Sequence, residues 1–269
     1  RRYAGRDQVV VYPAVVPLRY FQLAPSGLSG EGALRRRTSE VTPHASTVRE
    51  YTPGDHVGRI HWPSSAKLGH LMVKEFDQGL TSDLWVLLDL NRESPATLGD
   101  ESVEETAVTI AASISARFLK EHLPVGIAIS GNMLATLQPE NGDLQATRIM
   151  DLLARVTGKR NTPLSETLGA LELWMTRRTS LVVVTTSTDK TWISALEKII
   201  LRGIQANVVL VDNSSYGEDV SPEPLLTSIV NLGIVSYLIK QGDDISHVLS
   251  TPRVPHRTNP VLLTGRYVR

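Results

Sequence analysis

The sequence predicts an α/β protein: a doubly wound, mostly parallel sheet preceded by a smaller, mostly-β region. Three observations predict it. Leu84 to Asp89 (LWVLLD) is an unbroken apolar run closed by an acid, as expected of a strand buried on both faces. Glu101 to Glu121 then places Val103, Ala107, Ile110, Ala111, Ile114 and Phe118 at helical spacing. The same alternation of apolar run and helical segment continues toward the C-terminal end of the chain.

Taken in order, residues 1–80 carry β-type runs (VVVYPAVVPL, then HLMVKEF) broken by Pro and Gly, with no helical period. Gly27 to Glu40 (GLSGEGALRRRTSE) reads as a loop. Its Arg35, Arg36 and Arg37 are read as solvated, the rival role being contact with phosphate or acidic lipid. Beyond LWVLLD and its helix, Val125 to Ser130 (VGIAIS) is a second strand. A turn at Gly131-Asn132 leads into MLATLQ, an antiparallel partner at a sheet edge. Helices are expected at 143–156 and 165–177, a strand at 181–185, a helix at 192–202 and a strand at 206–211. An amphipathic stretch at 222–231 and a strand at 235–239 follow. The expected division is a mostly-β domain at 1–80, an α/β domain at 81–250 and a loosely packed tail at 251–269, where prolines recur without a period.

Composition narrows the function. Hydrophobic residues make up 41% and charged residues 21%, values typical of a globular protein. Lys plus Arg and Asp plus Glu each total 28, so no global field favours nucleic acid, and none is expected as a partner. The absence of Cys excludes disulfides, thiolate chemistry and Cys-ligated zinc, and fits a reducing compartment. No apolar run is long enough to span a bilayer. The chain starts at Arg1-Arg2 instead of Met, which fits either a soluble piece of a longer, membrane-anchored protein or an arbitrary boundary.

The densest cluster of unusual residues is Val48 to Lys67, VREYTPGDHVGRIHWPSSAK. Arg49, Glu50, Asp55 and Arg59 are expected to form an ion-pair network bracing a turn at Pro53-Gly54. Tyr51 and Trp62 would then pack the junction of the two domains. The alternative is an exposed basic surface of Arg49, Arg59 and Lys67 for an acidic partner.

This segment resembles the signature of the bacterial domain-of-unknown-function 58 family. The likeness rests on Arg49, Glu50, Tyr51, Pro53, Gly54, Asp55, Arg59, Ile60, Trp62, Ser65, Ala66 and Lys67, with VYPAVVPL upstream and HLMVKEF downstream. The resemblance implies that the α/β part is von Willebrand factor A-like, with strand order 3-2-1-4-5-6 and strand 3 antiparallel. It also implies a parent protein with membrane spans before this piece, placing the chain in the cytoplasm at the membrane face. Its implied partner is a MoxR-type AAA+ ATPase, for which the chain would be a non-enzymatic adaptor.

Von Willebrand factor A domains hold Mg²⁺ at the carboxyl end of the sheet through Asp-x-Ser-x-Ser, a Thr and a second Asp, the resemblance implies. Here the first loop reads Asp89-Leu90-Asn91-Arg92-Glu93, so Asn91 and Glu93 stand where serines belong. Thr162 matches the Thr position, and Thr186 replaces the second Asp. Mg²⁺ demands hard oxygen ligands in near-octahedral order. Asp89, Asn91, Glu93, Thr162 and Thr186 therefore form a degenerate site, with no cofactor expected unless Glu93 supplies the second charge. The structural alternative is that Asp89 caps the strand end and Arg92 pairs Glu93.

Other chemistry has less support. His44, His56, His61 and His70 fall near Asp55, without a recognised ligand spacing. Ser29 in GLSGEG lacks a nucleophile elbow, and no phosphate-binding glycine loop is present. The expected function is thus an interaction module without catalytic residues, the alternative being a divalent-metal-dependent hydrolase using Asp89 and Glu93.

Overall fold

The computed structural model describes residues 10–21, 23, 47–52, 60, 62–75, 83–90, 102–130, 135–156 and 162–253. At its centre, β3 (Asp83–Asp89) pairs in parallel with β4 (Val125–Ser130) on one side and β6 (Thr179–Thr185) on the other. A strand with neighbours on both edges and helices on both faces has no wet side, so its sequence is apolar throughout. β7 (Gln205–Val211) and β8 (Val235–Ile239) extend the sheet in parallel beyond β6. β5 (Ala135–Glu140) runs antiparallel at the other edge. The order β5-β4-β3-β6-β7-β8 is the predicted 3-2-1-4-5-6, with strand 3 antiparallel.

The pleat of β3 divides the core. Leu84, Val86 and Leu88 face one layer, and Trp85 and Leu87 face the other. Against the first layer lie α2 (Val103–Lys120) and α3 (Asp143–Leu153). Against the second lie α4 (Leu164–Glu172), α5 (Ile193–Leu201) and α6 (Glu223–Asn231).

The longest of these helices, α2, is specified at both ends. The Ser102 hydroxyl caps it by accepting from the Glu105 N–H at 3.1 Å. Glu104 and Glu105 occupy its first turn and Arg117 and Lys120 its last, complementing the macrodipole. Its buried positions are rich in Ala and Ser, and the Ser113 and Ser115 hydroxyls donate back to the carbonyls of Thr109 (2.6 Å) and Ala111 (2.7 Å).

At the edge, Gly126 sits in a β4–β5 register shift. A Cβ there would lie 2.9 Å from both the Leu137 carbonyl oxygen and Pro139 Cδ, so only Gly permits the approach. At the opposite edge, Arg253 forms an isolated antiparallel bridge with Ser236. Beyond Arg253 the predicted tail lies outside the described residues.

In several places the structure departs from expectation. VVVYPAVVPL forms no strand among its described residues. Residues 16–21 instead run as a strap over the first layer. The Val16 N–H donates to Ser113 Oγ at 2.8 Å, and the Ser246 hydroxyl donates to the Pro17 carbonyl at 2.9 Å. Phe21 packs between Phe118 and Tyr237, with ring centroids 6.1 and 5.2 Å away. Leu18 and Phe21 thereby join the core of a layer whose start the sequence sets at residue 81.

The signature region holds a two-stranded antiparallel sheet, β1 (Thr47–Glu50) with β2 (Met72–Glu75), and an unforeseen helix, α1 (Trp62–Leu68). That helix is too short to show a period, although Pro63 in its first turn is a start signal. The Ser65 hydroxyl accepts from the Met72 N–H at 2.8 Å and ties α1 to β2. The helix expected at 165–177 ends at Glu172, where Leu173 begins a turn.

Candidate functional site

In a parallel sheet, residues just past the strand ends share one edge, and open α/β sheets gather their ligands there. β3 delivers Asp89 to that edge, β4 delivers Ser130, β6 delivers Thr185, Thr186 and Ser187, and β7 delivers Asp212 and Asn213. All are buried, and Asp89 is 0% exposed. Burying a carboxylate is costly unless its oxygens accept strong hydrogen bonds.

Such a bond is present. Thr185, the register partner of Asp89 on the neighbouring strand, donates its hydroxyl to Asp89 Oδ2 at 2.7 Å. The same Thr185 oxygen accepts from the Ser187 N–H at 3.0 Å, which turns the chain after β6. The Thr186 N–H approaches the Asp89 carbonyl at 3.4 Å, continuing the ladder one residue past the strands. The Asn213 amide donates to the Thr186 carbonyl at 2.8 Å.

On the other flank Thr167 of α4 donates to Ser130 Oγ, and the Ser130 hydroxyl donates to the Thr162 carbonyl, both at 3.3 Å. Asp212 caps a 3₁₀ turn by accepting from the Ser214 N–H at 2.9 Å. Within that turn the Tyr216 hydroxyl meets Thr106 Oγ1 at 2.7 Å and links the edge to α2. The result is a set of neutral hydroxyls and amides around the Asp89 carboxylate, with the Asp212 carboxylate turned onto its own 3₁₀ turn.

Three of the predicted metal positions thus converge, each in its own way. Asp89 is the buried centre, Thr186 contributes its backbone, and Thr162 reaches Ser130 through its carbonyl. Asn91 and Glu93 lie outside the described residues. The position taken for the second Asp was Thr186, but the hydroxyl that meets Asp89 belongs to Thr185, one residue earlier. The parallel pairing of Asp89 with Thr185 explains this, since partners in register share a face. The ends of VGIAIS and VVLVDN carried the signal for Ser130 and Asn213: a polar residue terminating an otherwise buried strand.

The donor set sets the fit to Mg²⁺. Among the described residues it offers two buried carboxylates, Asp89 with Oδ2 engaged by Thr185 and Asp212 with Oδ1 engaged by Ser214, plus neutral oxygens. No group of three or more His, Asp or Glu side chains gathers to hold an ion among them. Mg²⁺ keeps several waters and is held by one or two carboxylates, but both carboxylates here are engaged by hydroxyl and N–H groups of the chain itself, so this set does not by itself fit the ion.

The signature residues lie elsewhere. Trp62 was expected to pack a domain junction, but it opens α1 with 63% of its surface exposed. At the first position of a helix on the small sheet it projects from the body, with only Ser65 of α1 buried. Tyr51 is half-buried, its N–H donating to the Leu71 carbonyl at 2.8 Å, while Glu50 and Lys67 are exposed. Arg49 is placed by its backbone, opposite Val73. Gly54, Asp55 and Arg59 lie outside the described residues, as do His44, His56, His61, Ser29 and Arg35 to Arg37. His70 is exposed.

Comparison with known proteins adds the following. The chain is 28% identical over 151 residues to the uncharacterized protein YeaD of Bacillus subtilis (strain 168), a match covering 55% of this chain and 35% of that protein. The chain thus spans about a third of that relative. Similar solved structures include an aerotolerance-related membrane protein from Bacteroides fragilis NCTC 9343 (14% identity, 62% of this chain, 94% of that one, TM-score 0.45). Another is the conserved hypothetical protein BatB of Bacteroides thetaiotaomicron (15% identity, 62% and 95%, TM-score 0.45). A family model described as protein of unknown function DUF58 matches residues 47–215, more than half of the sequence, and the chain belongs to that family.

Proposed function

We propose that this chain is a non-enzymatic protein-interaction module of the von Willebrand factor A type, with its docking surface at the carboxyl edge of the sheet. In the parent protein it is tethered at the cytoplasmic membrane face and serves as adaptor to a MoxR-type AAA+ ATPase. The observation that supports this reading is the Asp89–Thr185 contact. A carboxylate fully buried and bonded to a neutral hydroxyl acts as a fixed anchor for the turn after β6, and its burial shields it from substrate. That turn is then presented as a rigid surface, with Thr188 half-buried and Asp189 and Lys190 exposed at its rim. Co-purification with the ATPase from the source cell tests the proposal, comparing the wild-type protein with Lys190→Glu.

The second reading is a divalent-metal-dependent hydrolase, favoured by the convergence of Asp89, Ser130, Thr185 and Thr186 on adjacent strand ends. It requires Glu93 or another acid to complete the charge. Melting with and without Mg²⁺, Mn²⁺ and Ca²⁺, in wild type and Asp89→Asn, separates the two readings. A metal-induced rise in wild type alone supports the hydrolase.

A further inference from the structure

The opposite edge of the sheet carries a patch that the adaptor reading does not use. α4 and α5 both end there, because each leads down to the start of the next parallel strand. Leu173, just past α4, is 81% exposed, and Leu201, the last residue of α5, is 80% exposed. Side chains of this size are ordinarily withdrawn from water, and isolated exceptions need no explanation. The helix ends that carry them are tied together: Arg202 Nη1 donates to the Glu172 carbonyl at 3.1 Å and to its carboxylate at 2.8 Å. Trp174 lies beside them, 44% exposed, with its ring 5.8 Å from that of buried Trp85.

The surroundings are basic. With the Arg202–Glu172 pair set aside, stretches 172–178 and 197–203 carry Arg177, Arg178 and Lys198 against Glu197, and the Asp83 carboxylate is bonded to Thr179 at the same strand starts. Arg177 borders the same rim, its Cγ 3.6 Å from where a Cβ of Gly203 would stand.

We propose that this rim docks on an anionic lipid surface, with Leu173, Leu201 and the edge of Trp174 entering the headgroup layer and Arg177 and Lys198 contacting lipid phosphates. Trp favours the membrane interface because its ring is part apolar and part polar. Basic side chains beside a few inserted apolar ones are a standard way for a protein to lie on such a surface. Two observations disfavour the other occupants. Even at the about 150–250 Å² that an aromatic side chain buries, three side chains fall short of the about 800 Å² per partner of a standard protein interface. A second copy meeting this one about a two-fold axis would oppose Arg177 and Lys198 to their own like charges.

Sedimentation of the 269-residue chain with phosphatidylcholine vesicles, with and without phosphatidylglycerol, tests the proposal. The expected result is binding that needs phosphatidylglycerol and weakens with salt. Arg177→Glu with Lys198→Glu should weaken it about 25-fold or more, each lost charge costing about fivefold. Leu173→Asn with Leu201→Asn, at positions too exposed to unfold the chain, should weaken it as well. This rim and the carboxyl edge lie at opposite ends of the strands and share no residue, so failure of the adaptor proposal leaves this one standing. Equal binding to both vesicle types, no binding, or variants indistinguishable from wild type would overturn it. So would a wild-type dimer in sedimentation velocity that the leucine pair abolishes.

Discussion

Thr185 and Asp89 stand side by side on adjacent parallel strands, and the Thr185 hydroxyl is bonded at 2.7 Å to a carboxylate with no exposed surface. Replacing Thr185 by isosteric Val removes that donor and keeps the volume. The expected loss is about 1.5–3 kcal/mol, the range for a hydrogen bond to a buried charged group. Thr185→Ser keeps the hydroxyl and should lose less than half as much. Chemical denaturation of the two variants checks the difference.

Phe21 makes the strap a structural part of the α/β layer by filling the space between Phe118 and Tyr237. Phe21→Ala should cost about 3–5 kcal/mol, as large-to-small changes in a packed core do. Tyr20→Ala next to it, at an exposed position, should stay within about 0.5 kcal/mol. Equal effects would show that the strap does not dock as described.

Gly126 has no room for a side chain at the β4–β5 irregularity. Gly126→Ala forces Cβ against the Leu137 carbonyl and the Pro139 ring, and a loss of about 1–3 kcal/mol is expected, the usual cost of overpacking. Thermal melting reads it directly.

Tyr12 supplies a pH signature. Its hydroxyl donates to Asp151 Oδ1 at 2.8 Å, and its pKa is raised, first by that hydrogen bond, then by partial desolvation and the Asp151 charge, with Arg155 opposing. A raised folded-state value means the contact contributes fully below the ordinary tyrosine pKa of about 10 and is lost as pH climbs through the folded value. The phenolate absorbance difference between wild type and Tyr12→Phe should therefore titrate above the ordinary value. Asp151→Asn should bring it down. A Tyr12 that titrates normally in both proteins would remove the contact.

The sheet was legible in the sequence because burial on both faces imposes a continuous apolar run, and LWVLLD, VGIAIS and LVVVT each carry one. The order of strands followed from resemblance and hairpin length, and pairing bears it out. The strap was not legible. VVVYPAVVPL has strand composition, but its prolines remove ladder donors, and its partner is a helix face over ninety residues away in sequence, at Ser113. The candidate site was half legible: an acid closing β3 marked Asp89, whereas assigning Thr185 required the register of β3 against β6. Trp62 misled because aromatics are usually buried, and here a short helix turns one outward.

Adaptor function at the carboxyl edge is tested most directly by quantifying AAA+ ATPase co-purified from the source cell with the tagged parent protein, wild type against Lys190→Glu. Recovery of the ATPase with wild type and its loss with Lys190→Glu, at unchanged melting temperature, is the predicted result. No ATPase with either protein, or equal recovery with both, would contradict it.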